Sequence, residues 1–190
     1  MQVDGEVAPM SAGEQARFET YTGMMKLNST VAEMLARDAK LSTFFEEALQ
    51  TYNAPLTMAN LVANEVSREL KHQDAGTLKF TPEQVAALVK MIDEETISSK
   101  IAKEVFEVMS REGTDPVAYV EAKGLKQISD PAKILPIIDE VIAKNPGNVQ
   151  KYQEGNKKLF GFFVGQVLKA TGGKANPKVV NELVTKQLEA

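Results

Sequence analysis

A short stretch rich in glycine and lysine, GGKANPK at residues 172–178, is the first candidate for chemistry in this sequence. A glycine turn that leads into a helix places backbone amides at the positive end of that helix, where a phosphate binds well. The nucleotide-binding P-loop needs a glycine where Leu168 stands, Ser or Thr where Ala175 stands, and a strand before it instead of a helix. The sequence therefore argues against an ATP-binding loop.

Two interpretations of this stretch remain. Gly172 or Gly173 can end one helix, while Asn176 caps the next helix and Pro177 occupies its first turn. The same turn can also offer its amides to a single backbone phosphate, because lysines flank it on both sides. These flanking residues are Lys169, Lys174 and Lys178.

No other group of residues predicts a catalytic, cofactor or metal site. His72 is the only histidine and the chain has no cysteine, so neither a histidine cluster nor a thiolate site can form. Acidic neighbours such as Asp93-Glu94-Glu95 diverge on a helix and do not converge on one point. We therefore expect a chain that performs no catalysis, holds no metal and binds no cofactor.

Charge is unevenly distributed along the chain, whose net charge is −4. Residues 151–190 contain seven lysines and three glutamates, a net charge of +4, so residues 1–150 carry −8. An acidic protein is a poor general binder of nucleic acid, but a basic last fifth can bind one locally. We expect no DNA partner.

The longest apolar run, LFGFFVGQVL, is too short to cross a membrane. It has about half of the 20 or so residues that a spanning helix requires. The N-terminus also lacks a basic start followed by an apolar core, which a signal peptide needs. We expect no membrane partner and a cytoplasmic location.

Helical patterns extend over nearly the whole chain, and no stretch alternates apolar and polar residues as a strand does. A hydroxyl three residues before Glu or Gln predicts a helix start, because the two side chains cap each other's amides. This pattern occurs at Ser11, Thr30, Thr43 and Thr81, and glycines that can end helices follow at Gly76, Gly113 and Gly124. The predicted fold is all-α.

The sequence predicts two helical subdomains with a boundary near residues 74–80. The predicted segments are 1–29 with a leader and the first helix, 30–76 as a linker subdomain, and 80–190 as a tail domain. Pro136 cannot make the usual helix bond, so we expect a kink there or a restart near Leu135. The last two helices are predicted over 149–170, with a break at Gly155, and over 177–189.

Gly161 and Gly165 lie four residues apart, on one face of a predicted helix. Glycine weakens a helix by close to 1 kcal/mol, so a pair of them suggests a purpose. We expect a neighbouring helix to approach closely there, and leucine at either position to overpack the contact by roughly 1–3 kcal/mol.

Several long runs resemble the GatB/YqeY domain, the tail of the amidotransferase subunit GatB. The closing run GNKKLFGFFVGQVLKATGGKANPKVVNELVTKQL is similar to the end of that family, including the glycine pair and GKANP. FTPEQVAALVKMIDEETISSKIAKEVFEVM and VEAKGLKQISD resemble its preceding helices. LARDAKLSTFFEEAL and LTMANLVANEVSRELK are similar to the helical linker before the tail, so the resemblance covers roughly residues 30–190.

This resemblance implies an appendage that contacts the outer corner of tRNA and performs no chemistry itself. Such domains occur on the amidotransferase that converts Glu-tRNA(Gln) to Gln-tRNA(Gln), behind the catalytic part of some glutaminyl-tRNA synthetases, and as standalone YqeY proteins. The leader DGEVAPMSAGEQ does not look like the proline-rich stretch before the subunit's linker. We therefore expect an appendage that helps a glutaminyl-tRNA synthetase engage tRNA(Gln), with that enzyme's catalytic domain in the same polypeptide.

Two alternatives stay open. The first is the tail of the GatB subunit of a Glu-tRNA(Gln)/Asp-tRNA(Asn) amidotransferase. The second is a protein-docking module without RNA contact. In either RNA-binding case, we expect lysines to neutralise phosphates while Gly172 and Gly173 present amides and Asn176 a polar side chain. The expected lysines are Lys157, Lys158, Lys169, Lys174 and Lys178.

Overall fold

Helices form most of residues 8–190, the part of the chain that the computed structural model describes, and no strand occurs within that range. The predicted all-α class is confirmed. The chain divides into two compact units. The first unit runs to Asp93 and includes Phe106–Pro116, whereas the second comprises Glu94–Val105 and Val117–Ala190.

The first unit is built from short amphipathic helices joined by tight turns. They are α1 Ala12–Gly23, α2 Ser29–Arg37, α3 Ala39–Thr51, α4 Pro55–Leu61, a π-helical turn Val62–Val66, α5 Ser67–Leu70, a 3₁₀ turn Ala75–Thr77, and α6 Pro82–Asp93.

Helix starts in this unit follow the predicted capping chemistry at two of the four positions. Ser11 Oγ accepts a bond of 3.3 Å from the Glu14 amide. Thr81 and Gln84 cap each other: the Gln84 amide donates to Thr81 Oγ1 at 3.2 Å, and the Thr81 amide donates to Gln84 Oε1 at 3.1 Å. Both starts satisfy amides that the first turn leaves unpaired.

The predicted caps at Thr30 and Thr43 are wrong. Asn28 caps α2 through the Val31 amide at 2.9 Å, and Asp38 caps α3 through the Leu41 amide at 3.1 Å. Thr43 therefore lies inside α3. Asn and Asp are at least as good as Thr at a cap, and both precede the first buried residues of their helices.

Aromatic side chains fill the core of the first unit. Tyr21 and Phe45 are almost fully buried and meet edge to face, with ring centroids 5.4 Å apart. Phe80 makes the same type of contact with Phe44 at 5.9 Å and with Phe106 at 5.1 Å. Edge-to-face pairs of this kind stabilise a fold by more than the free energy that their buried apolar area alone contributes.

Helix α7, Ser99–Glu112, is shared by the two units: its residues up to Val105 belong to the second unit and the rest belong to the first. Ser98 caps its start, since Ser98 Oγ accepts from the Ile101 amide at 3.2 Å. The predicted stop at Gly113 is confirmed, because this glycine adopts a left-handed φ of 73°.

The second unit continues with α8 Pro116–Lys123, α9 Pro131–Lys144, α10 Pro146–Gln153, α11 Leu159–Ala170 and α12 Pro177–Glu189. One hydrophobic cluster of this unit forms where α9, α11 and α12 bury their apolar faces. The most buried members are Ile134, Ile138, Phe163, Val167, Ala175, Val180, Val184 and Leu188.

Two predictions for this unit have different outcomes. The break at Gly155 is confirmed: its φ is 114°, α10 ends at Gln153 and α11 begins at Leu159. Of the two outcomes expected at Pro136, the restart near Leu135 is wrong, because α9 continues through Pro136, and a kink there stays a prediction. Pro136 lies on the exposed side of α9, where water can take up the carbonyl that loses its partner, and the buried Ile134 and Ile138 hold the helix in place.

The compact units do not divide at the predicted boundary. Residues 74–80 lie within the first unit, and Gly76 sits in the 3₁₀ turn without a left-handed φ. The segments 1–29, 30–76 and 80–190 stay a prediction about the domains of the chain. Residues 1–7 of the leader lie outside the described residues.

The expected close packing at Gly161 and Gly165 is not found. Both glycines lie on the exposed face of α11. Within the described part of the chain, a Cβ added at either position would meet no atom of another element within 4 Å. The buried face of α11 is the opposite one, which carries Phe163 and Val167.

Candidate nucleic-acid interface

The turn between α11 and α12, residues 171–176, ends one helix and starts the next within six residues. Gly172 has a φ of 64° and Gly173 one of 79°, as predicted for a glycine helix stop. The Gly173 amide donates to the Leu168 carbonyl at 2.8 Å, and the Gly172 amide donates to the Lys169 carbonyl at 3.1 Å. This pair of bonds is the Schellman motif, which satisfies the last carbonyls of α11.

The second half of the turn is fixed to the segment between α8 and α9. The Ile128 amide donates to the Lys174 carbonyl at 2.7 Å, and the Asn176 amide donates to the Ile128 carbonyl at 2.8 Å. Together they form an isolated parallel bridge between Ile128 and Ala175. The Ala175 amide is occupied as well, because it donates to Thr171 Oγ1 at 3.2 Å. The turn therefore has a fixed shape.

These bonds change the role that the sequence suggested for the two glycines. We expected Gly172 and Gly173 to present amides to a phosphate, but both amides bond to carbonyls of α11. The Lys174 amide likewise donates to the Thr171 carbonyl at 3.3 Å. The glycines contribute their left-handed conformation, which other residues rarely adopt, and the turn offers a ligand its side chains.

Asn176 is also turned inward. Its side chain is buried, and Oδ1 accepts from the Lys178 amide at 3.0 Å, so it caps α12 as predicted. Its Nδ2 donates to Ser129 Oγ at 3.3 Å and to Glu95 Oε2 at 3.4 Å. All of these bonds hold the turn together, so Asn176 positions the turn, and the polar contact to RNA expected of it stays a prediction.

The positively charged side chains around the turn are those of lysines. Lys169 lies in the last turn of α11, Lys174 lies in the turn itself, and Lys178 lies in the first turn of α12. Lys178 Nζ lies 3.5 Å from Glu95 Oε1, yet 81% of the Lys178 side chain is exposed. An exposed ion pair of this kind contributes little, so the ammonium group of Lys178 is available for exchange.

Lys100 joins this group from a distant part of the chain. A Cβ added at Gly173 would lie 3.7 Å from Cδ and 3.8 Å from Nζ of Lys100. Lys100 is exposed and lies in the first turn of α7. Its 73-residue separation from Gly173 leaves no local sequence signal for the contact, so sequence reasoning missed it. We name Lys100, Lys169, Lys174 and Lys178 the turn cluster.

Lys157 and Lys158 lie elsewhere in the second unit. They precede α11, whereas the turn cluster lies around its far end, and twelve helical residues span about 18 Å. Lys157 Nζ lies over the ring of Tyr152, 4.1 Å from its centroid, a cation–π contact that orients the side chain. The predicted site thus consists of two separate groups of lysines. We name Lys157 and Lys158 the loop cluster.

Positive charge is concentrated in the second unit as a whole. It contains thirteen lysines and ten acidic side chains, a net charge of +3, whereas the first unit carries −7. In the part of the chain that the structure describes, neither loop-cluster lysine forms an ion pair, and in the turn cluster only Lys178 does.

Comparison with known proteins gives a consistent picture. The model of the GatB domain matches residues 43–188 of this chain. The chain belongs to the GatB/YqeY family. It is 45% identical over 174 residues to the GatB subunit of the aspartyl/glutamyl-tRNA(Asn/Gln) amidotransferase of Persephonella marina, a match that covers 90% of the chain. The corresponding GatB subunits of Geotalea daltonii and Rickettsia africae are 45% and 44% identical, each over 92% of the chain.

These relatives correct the preferred parent enzyme. The expectation from the leader was a glutaminyl-tRNA synthetase, but the relatives are GatB subunits of amidotransferases, which supports the first alternative instead. The chain spans only 36–37% of the length of these relatives.

Metal sites and membrane spans are both absent from the described part of this GatB/YqeY chain. Within residues 8–190, no three His, Asp or Glu side chains come together in a way that could hold a metal ion. No helix in that range is both long and apolar enough to cross a membrane.

Proposed function

We propose that this chain is a non-catalytic, tRNA-docking part of the GatB subunit of an aspartyl/glutamyl-tRNA(Asn/Gln) amidotransferase. The observation that carries the proposal is the combination of family membership with the turn cluster, whose lysines lie in or beside a turn that hydrogen bonds hold in one shape. The names of the relatives supply the substrate class, tRNA. The reaction itself takes place in another part of the parent enzyme.

Docking on this surface is electrostatic and depends on shape. A folded RNA helix hides its base edges in a deep groove, so a protein recognises its backbone geometry. Each ammonium group that meets a phosphate releases a counterion, and the affinity therefore falls as salt rises. The bridge between Ile128 and Ala175 holds the turn in one conformation, so little entropy is lost when the RNA binds.

The outer corner of the tRNA is the proposed target, as the family resemblance implies. The two lysine clusters lie at opposite ends of α11, about 18 Å apart along the helix axis. One small anion cannot reach both clusters, but the backbone of one folded RNA can. The partners are thus a tRNA and the remainder of the amidotransferase subunit in the same polypeptide.

The test compares two double variants of the chain in binding to an uncharged tRNA(Gln) transcript at several salt concentrations. Lys174→Ala with Lys178→Ala should weaken binding and flatten the slope of log affinity against log salt by roughly one to two. Lys157→Ala with Lys158→Ala should do the same if the loop cluster contacts the same RNA.

The matched control is Lys186→Ala. This lysine lies on α12, is exposed, and is about 12 Å along the helix from Lys178. Lys186 belongs to neither lysine cluster, so the proposal expects its loss to leave the slope unchanged. An affinity and a slope that stay the same in the turn-cluster variant would contradict the proposal. A chain that binds no tRNA but associates with protein would favour the docking-module alternative.

A further inference from the structure

Glu95 has a backbone conformation that is unusual for its residue type. Its φ is 56°, in the left-handed region that glycine normally occupies. Glu95 lies in the loop between α6 and α7, next to Thr96, whose carbonyl accepts a bond of 2.5 Å from the Gln127 amide. This bond ties the loop to the segment between α8 and α9, and the Glu95 side chain contacts one place in the turn.

That place is the beginning of α12. Glu95 Oε1 lies 3.5 Å from Lys178 Nζ, and Glu95 Oε2 accepts from Asn176 Nδ2 at 3.4 Å. The two oxygens of one carboxylate thus bind a cation and a neutral donor of the turn. The position also lies at the positive end of the α12 dipole, where a negative charge is favourable.

A phosphate of an RNA backbone would make the same contacts. It too presents charged oxygens that accept from an ammonium group and from an amide donor. Building on the tRNA docking proposed above, we infer that the Glu95 carboxylate occupies the position of an RNA phosphate and must be displaced when RNA binds. Glu95 is therefore a residue that sets the affinity of the turn cluster.

The displacement is easy because the internal contact is weak. The side chains of Lys178 and Glu95 are 81% and 53% exposed, so water and salt screen their attraction. While the pair is intact, however, Lys178 contributes less positive charge to an approaching RNA. After displacement, the carboxylate still stands near the phosphate and repels it. Both effects lower the affinity for tRNA.

Glu95→Gln tests the inference. Glutamine keeps the length of the side chain and an oxygen that can accept from Asn176, but it carries no charge. We expect tRNA(Gln) transcript to bind about two- to fivefold more tightly, because an exposed ion pair contributes at most that factor. The slope against salt should become steeper by up to about one, because Lys178 becomes fully available.

Two further variants separate the local effect from a general change of charge. Glu189→Gln removes the same charge at the far end of α12, about 16 Å along the helix from Lys178, and should change the affinity by less than about 1.5-fold. Glu95→Gly also removes the charge and fits the left-handed backbone, so it should reproduce the gain without loss of folding.

The decisive measurement repeats Glu95→Gln in the Lys178→Ala background. The gain should there fall below about twofold, since the competition for Lys178 no longer exists. Two results would overturn the inference and leave tRNA docking intact. One is a Glu95→Gln variant that binds tRNA no more tightly than the unaltered chain, and the other is the full gain in affinity from Glu95→Gln in the Lys178→Ala background. Failure of the unaltered chain and of all variants to bind tRNA would instead overturn the docking proposal itself.

Discussion

All four arginines of the chain lie in the first compact unit, whereas the second unit carries its positive charge on lysines alone. Each arginine contacts an internal acceptor. Arg17 donates twice to the Ala36 carbonyl, at 3.0 and 2.7 Å, and Arg37 Nε lies 2.8 Å from Glu33. Arg68 and Arg111 pair with carboxylates of neighbouring helical turns.

Under the tRNA docking proposed above, this difference separates the side chains that hold the fold together from those that bind. The planar, forked guanidinium group holds two acceptors or one acceptor twice, which suits internal bonds. The lysine ammonium group is a hydrated point charge on a flexible stem, and three of the four lysines of the turn cluster are exposed. The contacts of Arg17 and Arg37 hold the first unit together, whereas within the described residues the lysines of the turn and loop clusters other than Lys178 form no ion pair.

The strongest test of this separation is a core substitution in the first unit. Phe45 is fully buried against Tyr21, so Phe45→Ala should lower the free energy of unfolding by about 3–5 kcal/mol. Urea denaturation measures this loss. In conditions where the variant stays folded, its tRNA salt slope should match that of the unaltered chain. Lys174→Ala should give the reverse result, with a flatter slope and a stability changed by less than about 0.5 kcal/mol.

A second test uses pH. Burial first, and then the hydrogen bond of 2.6 Å to Glu46, raise the pKa of Tyr21 well above its usual 10.0. Because this pKa is raised only in the folded chain, the contribution of Tyr21 to the free energy of unfolding is complete below pH 10. It is lost as the pH rises above 10, because the unfolded chain releases the tyrosine proton first. Each pH unit above 10 lowers the free energy of unfolding by up to about 1.4 kcal/mol.

Tyr21→Phe supplies the control for this test. The variant should lose about 1 kcal/mol at neutral pH, because the bond to Glu46 is gone, and it should lack this alkaline loss. The measurement is the free energy of unfolding of Tyr21→Phe and of the unaltered chain, compared from about pH 9 to 11. A parallel decline in both proteins would show that Tyr21 does not cause the loss.

Replacing an arginine by lysine, or a lysine by arginine, should have a smaller effect on stability and on tRNA affinity. Arg17→Lys should cost about 1 kcal/mol, because a lysine can replace only one of the two bonds to the Ala36 carbonyl. Lys174→Arg should keep tRNA affinity within about twofold, since the charge that meets the phosphate is unchanged. Thermal unfolding and a salt titration measure the two outcomes. A stability loss in Lys174→Arg as large as in Arg17→Lys would contradict the separation of roles.

Local sequence chemistry predicts the helix boundaries better than it predicts the contacts between helices. The reciprocal cap of Thr81 with Gln84 and the left-handed stops at Gly113 and Gly172 depend only on residues a few positions apart. Thr43 fits the same pattern but lies inside α3. The helix begins earlier, because Asp38 caps it and the residues that become buried lie between Asp38 and Thr51.

The candidate site shows the same limit. The lysines around the turn could be read from the sequence, but Lys100 and Glu95 reach it through contacts across more than 70 residues. The bonds that occupy the amides of Gly172 and Gly173 also depend on how α11 ends. A glycine pair can mean an amide cradle or a helix stop, and only the hydrogen bonds distinguish the two.

The smallest effect concerns Gly161 and Gly165, whose face of α11 is open. Because a Cβ meets nothing there, Gly161→Ala should stabilise the chain by about 0.5–1 kcal/mol, the usual gain from replacing glycine in a helix. Gly161→Leu should be tolerated as well, whereas a packed interface would lose roughly 1–3 kcal/mol. Thermal unfolding of both variants distinguishes these outcomes. A loss with leucine but not with alanine would mean that a neighbour does cover this face, and the second unit would then use α11 for cohesion as the first unit uses its arginines.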